Sequence, residues 1–244
     1  MKKLFYILWR SWFYLMMALP LFLTFPLLLI TTSKASWYPH FFKIARFWAI
    51  WTIYTTGFVP FRKDGIFSKK NKSFMVVANH TSMLDIMMML YSIKNPFVFV
   101  GKKELAKIPV FGFFYKRSCI LVDRNSPKSR KEVYDQCQER IAQGLSICIF
   151  PEGGVPNDES IILDEFKDGA FRMAIEHQLP ILSLVFPDNK KRFSYTFFSG
   201  SFGKTRSYIL PIVETATLNL KDKNELKEKV RLGILKKLEQ TIAP

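Results

Sequence analysis

Residues 11–33 contain no charged side chain, and a stretch of that length can cross a bilayer as a helix, which takes about 20 residues. The rest of the chain must therefore fold around an end that favours lipid. Pro20 and Pro26 interrupt the stretch. Each removes a backbone donor and bends a helix, which hydrocarbon tolerates only where neighbouring structure compensates. A second uncharged stretch, 47–61, is shorter and carries Trp48, Trp51 and Tyr54, residue types that settle at the headgroup level. Lys and Arg at 2, 3, 10, 34, 43, 46, 62 and 63 flank both segments, and no acid precedes Asp64.

That spread of cations defines no single-span orientation. A helical hairpin dipping into one leaflet, or lying in the interface, keeps the cations on one face and accommodates the prolines; two true spans are the alternative. A cleaved signal peptide is disfavoured, because bulky aromatic sequence follows without a small-residue cleavage site. We expect a membrane-associated helical motif over 1–61 and a second domain over 62–244, at the cytoplasmic face of the inner membrane. The formal net charge is +16, half of it in residues 1–63, and favours anionic lipids or an acidic carrier protein as partners.

Beyond a polar, basic linker at 62–72, strand and helix signals alternate. Strands are expected at 74–78, 97–100, 120–123, 146–150, 181–186, 192–198 and 207–213, and helices at 86–92, 129–143 and 164–177. This is an α/β pattern with a mixed, largely parallel sheet. At 222–240 an amphipathic helix aligns Leu226, Val230, Ile234 and Leu238 on one face, with its lysines solvated. Lys190, Lys191 and Arg192 followed by Phe193, Tyr195 and Phe197 mix charge with aromatics as a single-strand binder would. Their regular alternation reads as a sheet strand, and nucleic acid is discounted. Cys119, Cys137 and Cys148 lack metal-ligand spacing and read as reduced thiols; no metal and no cofactor is expected.

The densest chemistry lies at 74–90. An apolar strand-like run ends in Asn79, His80, Thr81, Ser82, Met83, Leu84 and Asp85, and an apolar helical run follows. His80 thus sits at a strand-to-helix corner, where α/β proteins place their chemistry. With a turn between them and Ser82 as N-cap, Asp85 in the first helical turn reaches back to the imidazole, fixing its tautomer and stabilising the imidazolium. The same residues also read as a capping box that only closes orphan amides.

Two further corners resemble this one. The run 146–150 leads into Pro151, Glu152, Gly153 and Gly154, where adjacent glycines turn amides towards an anion and allow close approach, or simply make a turn. Arg124 follows the apolar run 120–122 and Asp123. A guanidinium there suits a phosphate, or a surface salt bridge.

In order, Asn79-His80-x4-Asp85, then Lys103, Leu105, Pro109 and Gly112 leading to Val122-Asp123-Arg124, then Phe150-Pro151-Glu152-Gly153, then Leu179-Pro180-Ile181 resemble the glycerolipid acyltransferases, in particular the bacterial 1-acyl-glycerol-3-phosphate acyltransferases. The resemblance covers roughly 60–215 and rests on four ordered blocks. It implies an α/β acyltransferase domain behind a membrane-embedded helical hairpin, with His80 as base and Asp85 as its orienter. It also implies an acyl-CoA or acyl-acyl carrier protein donor and a lysolipid acceptor. Lys103 and Arg124 would lie near the acceptor phosphate, with Glu152, Gly153 and Gly154 at the acceptor pocket.

The chain departs from the family where Gly154-Val155 replaces Thr-Arg, where Ser118 replaces a frequent glycine and where Ser183 replaces a proline. Lys167 is a candidate to compensate for the lost cation. These changes leave the reaction type intact and open the choice of acceptor to another lysophospholipid or a lyso-amino-acid lipid. A non-catalytic lipid-binding protein is the rival from another class. A thioester hydrolase is disfavoured, since no Gly-x-Ser-x-Gly elbow occurs.

Overall fold

A computed structural model describes residues 1–69, 72–123, 126–156, 158 and 160–242. The chain opens with α1 (Lys2–Leu23), α2 (Phe25–Thr31) and α3 (Tyr38–Thr55). Pro26 has no N–H to continue the ladder, so α1 stops, Thr24 Oγ1 donates to Pro20 O at 2.7 Å, and α2 restarts with the proline in its first turn. Helices α1 and α3 run antiparallel: Trp9 Nε1 donates to Thr56 O at 3.2 Å, Trp12 Nε1 to Thr55 O at 2.8 Å, and Trp48 Nε1 to Met17 O at 2.8 Å. This is the expected hairpin. By length and composition α1 is the one helix among the described residues suited to crossing a membrane. Trp9, Phe13 and Met16 face inward, whereas Leu4, Leu8, Leu15 and Leu23 are exposed.

Next come β1 (Phe58–Arg62), β2 (Met75–Ala78), α4 (Leu84–Ser92), β3 (Phe97–Lys102), α5 (Phe111–Ser118), β4 (Ile120–Val122), α6 (Pro127–Ala142) and β5 (Ser146–Ile149). The chain closes with α7 (Gly169–Glu176), β6 (Ile181–Val185), α8 (Asn189–Arg192), β7 (Gly203–Ile209) and α9 (Lys223–Ile242). The seven strands form one sheet in the order β1-β7-β6-β2-β5-β3-β4. All neighbours are parallel except β6 and β7, which gives the mixed α/β sheet expected. Every residue of β2 and β6 is buried, as central parallel strands covered on both faces require. Helix α3 packs on α4, and α9 packs on α7 and β6 through the buried stripe Leu226, Val230, Ile234 and Leu238.

Several expectations are corrected here. The stretch 47–61 does not stay helical: Gly57, at φ +87, ends it, and Phe58–Arg62 pairs with β7 from Phe58↔Gly203 to Arg62↔Ser207. The boundary expected between 61 and 62 therefore falls inside a strand. The run 192–198 is no strand. It follows the short α8, and its apparent alternation arises because Phe193 is buried against α1 while Tyr195 and Phe197 are exposed. The strand expected at 207–213 begins earlier, at Gly203, in register with β1. The helix expected from 164 starts only at Gly169.

Candidate active site

The parallel strands β2, β5 and β3 end side by side, and their C-terminal corners build the site. Asn79 fixes the first corner. Its Nδ2 donates to Phe186 O at 3.0 Å and its Oδ1 accepts from Phe186 N at 2.8 Å, locking the ends of β2 and β6 together. The next residue, His80, turns out of the sheet with a side chain 15% exposed, its Nδ1 3.0 Å from Asp85 Oδ2.

Asp85 is fully buried and accepts on both oxygens. Its Oδ2 also receives Thr81 N–H at 2.7 Å and Ser82 N–H at 2.8 Å, and its Oδ1 receives Asn189 Nδ2 at 2.8 Å. The helix cap falls on Met83 and carries no side-chain bond, so the expected capping box from Ser82 does not form; Ser82 Oγ instead accepts Leu84 N–H at 3.1 Å within the turn. Asp85 therefore serves the imidazole and the two amides of the turn with the same oxygen. Because a carboxylate only accepts, the ring nitrogen facing it carries the hydrogen, and Nε2 is left with its lone pair.

The imidazole lies flat on Phe150, with ring centroids 4.1 Å apart and planes 17° apart, and Phe150 in turn stacks on Phe99 of β3. This apolar floor keeps water from one face of the ring. Glu152 lies beneath the corner, 4% exposed. Its Oε1 accepts His80 N–H at 2.6 Å and its Oε2 accepts Asp164 N–H at 3.0 Å. Burial pushes its carboxyl up to about 7, against the pull of those two amides and of the imidazole.

The other expected residues fall at varying distances from the dyad. Gly153 has φ +81, a value the turn demands, and its amide donates to Phe150 O at 3.1 Å, inside the turn itself. Lys167 lies over it, with Cγ 3.4 Å from where a Cβ would stand. Gly154 is half-buried beside it, and Lys103 is exposed on the helical turn Lys103–Lys107 after β3. Arg124 lies outside the described residues.

Three contributors were not legible in the motifs. Asn189, fully buried on α8, holds the far oxygen of Asp85. Asp188 beside it makes a two-pronged ion pair with Arg206 of β7, at 2.6 and 2.8 Å. Arg10 of α1, only 3% exposed, donates to Ser194 O, Thr196 O and Ser199 O at 2.9, 2.7 and 3.2 Å and lies 4.5 Å from the Phe193 ring centre. Phe193 O accepts the Ser82 hydroxyl, so α1 connects to the turn between His80 and Asp85.

Residues 54–187 match the Acyltransferase family, a span that includes every motif around the dyad. The chain belongs to the Acyltransferase family. Relatives include a probable 1-acyl-sn-glycerol-3-phosphate acyltransferase of Mycoplasma pneumoniae, 27% identical over 70% of this chain and 67% of the relative. Another, of the same description, is from Mycoplasma genitalium, 29% identical over 86% of this chain and 84% of the relative. The chain spans only 64% of a Caenorhabditis elegans relative. The fold matches the crystal structure of the 1-acyl-sn-glycerophosphate (LPA) acyltransferase PlsC from Thermotoga maritima, with a TM-score of 0.83, 19% identity and coverage of 100% of this chain and 99% of that one. In this acyltransferase the dyad belongs to the block Asn79-His80-x4-Asp85 expected of such enzymes.

Proposed function

We propose that the protein transfers a fatty acyl group from an acyl thioester, acyl-CoA or acyl-acyl carrier protein, to the free hydroxyl of 1-acyl-glycerol-3-phosphate, forming phosphatidic acid. The observation that carries the reading is the His80 Nδ1 to Asp85 Oδ2 contact at 3.0 Å, which leaves Nε2 as the base. The printed descriptions of the relatives support the acceptor. In the reaction, Nε2 takes the proton of the acceptor hydroxyl as its oxygen attacks the thioester carbon. The tetrahedral intermediate collapses, the C–S bond breaks, and the thiolate leaves as the thiol with the proton returned by His80. Asp85 stabilises the imidazolium between the two steps. A positioned base contributes about 10² to 10⁴ in rate, and positioning of the two substrates supplies much of the remainder.

Lys103, Lys167 and Arg124 are assigned to the acceptor phosphate, and Gly153 with Gly154 to the acceptor pocket. Glu152 is assigned to supporting the His80 backbone, since both its oxygens accept amides. The α1–α3 hairpin seats the enzyme on the cytoplasmic face of the membrane and brings lysolipid from the bilayer. The experiment is transfer by purified protein with a labelled donor and a panel of lysolipids. Phosphatidic acid is the expected product; exclusive use of an uncharged or amine-bearing acceptor would sink the reading. Transfer abolished by His80→Ala separates catalysis from mere lipid binding.

A further inference from the structure

The aromatic rings of residues 195–202 serve neither the sheet nor the dyad. Tyr195, Phe197, Phe198 and Phe202 are each between 44% and 56% exposed, whereas folded chains normally scatter exposed apolar side chains singly. Ordered contacts hold them there. Arg10 bonds the carbonyls of Ser194, Thr196 and Ser199, Tyr6 Oη donates to Gly200 O at 3.5 Å, and Arg192 Nη1 donates to Phe202 O at 2.9 Å. The rings therefore stand outward on a braced loop.

This loop continues an apolar surface that begins on α1. The Phe202 ring meets Phe5 edge-on at 5.8 Å and Trp9 at 4.9 Å, and Lys3 Nζ lies 5.8 Å from the centre of the Phe198 ring. Leu4, Phe5 and Leu8 are exposed on the same helix, the one suited by length and composition to crossing a membrane. Charge points the same way. Residues 189–213 contain no acidic side chain, and Lys191 and Lys204, which flank the rings, are exposed. Rings interleaved with cations suit the headgroup level of an anionic leaflet, where aromatic groups settle and lysines meet phosphates. A second copy would bring the same cations to the contact and be repelled.

Resting on the seat of the α1–α3 hairpin in the membrane, we propose that the loop 195–202 is a second membrane contact, whose rings enter the headgroup layer of an anionic leaflet beside α1. Its position gives the contact a use. Tyr195 and Thr196 also line a cavity of about 410 Å³ that is bordered by Thr81, the residue after His80. The loop is thus a rim between bilayer and cavity and holds the opening of the site against the leaflet.

The test uses full-length protein carrying a polarity-sensitive fluorophore at Phe198→Cys or, in parallel, at Leu8→Cys on α1. Each is reconstituted into vesicles of phosphatidylcholine and phosphatidylglycerol, with and without nitroxide lipid. Cys137 and Cys148 are buried and Cys119 is half-buried, so unsubstituted protein treated with the same reagent sets the background. Both probes should show blue-shifted emission and quenching by the nitroxide. Quenching at position 8 with water-like emission at 198 overturns the loop contact and leaves the hairpin's seat intact; water-like emission at both overturns the two together. Emission at 198 that follows protein concentration and ignores nitroxide assigns the patch to a second copy and overturns the proposal. In the unlabelled chain, Phe198→Ser removes an exposed ring and should leave Tm unchanged while weakening partition into these vesicles about tenfold. Lys191→Gln should weaken it about fivefold, and not at all in vesicles of phosphatidylcholine alone. Partition unchanged in both variants overturns the proposal.

Discussion

Asn189 and Asp85 stand 104 positions apart in the chain, and the amide of one donates to the carboxylate of the other at 2.8 Å in a fully buried contact. The bond ties α8 to the first turn of α4 and takes the oxygen of Asp85 that faces away from His80. Asp188 anchors α8 in turn, through Arg206 on β7, so the imidazole is aligned by a chain of contacts that reaches the antiparallel side of the sheet.

Asn189→Leu removes that donor and leaves Asp85 with one oxygen unserved. Turnover should fall about tenfold, equivalent to roughly 1.4 kcal/mol of lost alignment. Asn189→Asp sets two carboxylates face to face, which forces them to share a proton. Its kcat/KM should approach wild type at acid pH and fall as pH rises and the shared proton leaves. A pH profile parallel to wild type would show that Asn189 only packs.

At Asp85 itself, the two truncations should separate. Asp85→Asn keeps an oxygen for the Thr81 and Ser82 amides, and its new NH₂ group meets Asn189, whose Oδ1 has no partner. The fold should hold, with turnover reduced at least about 100-fold because the imidazolium loses its anion. Asp85→Ala strands buried donors, each costing about 1–3 kcal/mol, and should lower both Tm and activity. Comparison of Tm with kcat in the two variants checks this.

Glu152 makes stability depend on pH. Its carboxyl titrates near 7 in the fold against an ordinary 4.5, so between those values the folded chain holds a proton that the unfolded chain has released. The stability it contributes is therefore greatest below about 4.5 and is lost as pH rises to about 7. Denaturant unfolding in detergent at several pH values should show this decline in wild type and a flatter profile in Glu152→Gln.

Arg10 should act at a distance. Arg10→Met removes Arg10 Nη2, whose two hydrogens are shared among the Ser194, Thr196 and Ser199 carbonyls, a loss of at most two charge-assisted bonds at about 1.5–3 kcal/mol each. Residues 194–199 should become susceptible to limited proteolysis in a chain that otherwise stays folded, and the acceptor KM should rise. Cleavage elsewhere first would argue against this coupling.

What was legible in the sequence was what is local. His80 and Asp85 are five positions apart and meet through one turn, so the spacing alone poses the dyad, and the strand-to-helix corner at 78–86 and the strand-to-turn corner at 149–154 follow from abrupt changes in apolar period. Asn189 gave no such signal, because its role exists only once β6 lies beside β2. The run 192–198 misled for the same kind of reason. Its alternating rings mimic a strand, but Arg10 from the far end of the chain holds the carbonyls of this segment. In β1 the two-residue period was present, with Phe58 and Pro60 buried and Val59 and Phe61 exposed, and was masked by the apolar helix that runs into it.

The pairing of β1 with β7 ties the apolar α1–α3 hairpin to the sheet that carries the candidate dyad. Clipping the chain after α3 would spare β1 but tear away the partners of Phe193 and Ser194, and clipping after Arg62 would bare the hydrogen-bonding edge of β7 along its whole register. A chain lacking the hairpin is therefore expected to lose the packing that orders residues 193–199, and with it the support of the site. The segment with the greatest affinity for lipid and the segment that holds the candidate base thus fold as one unit.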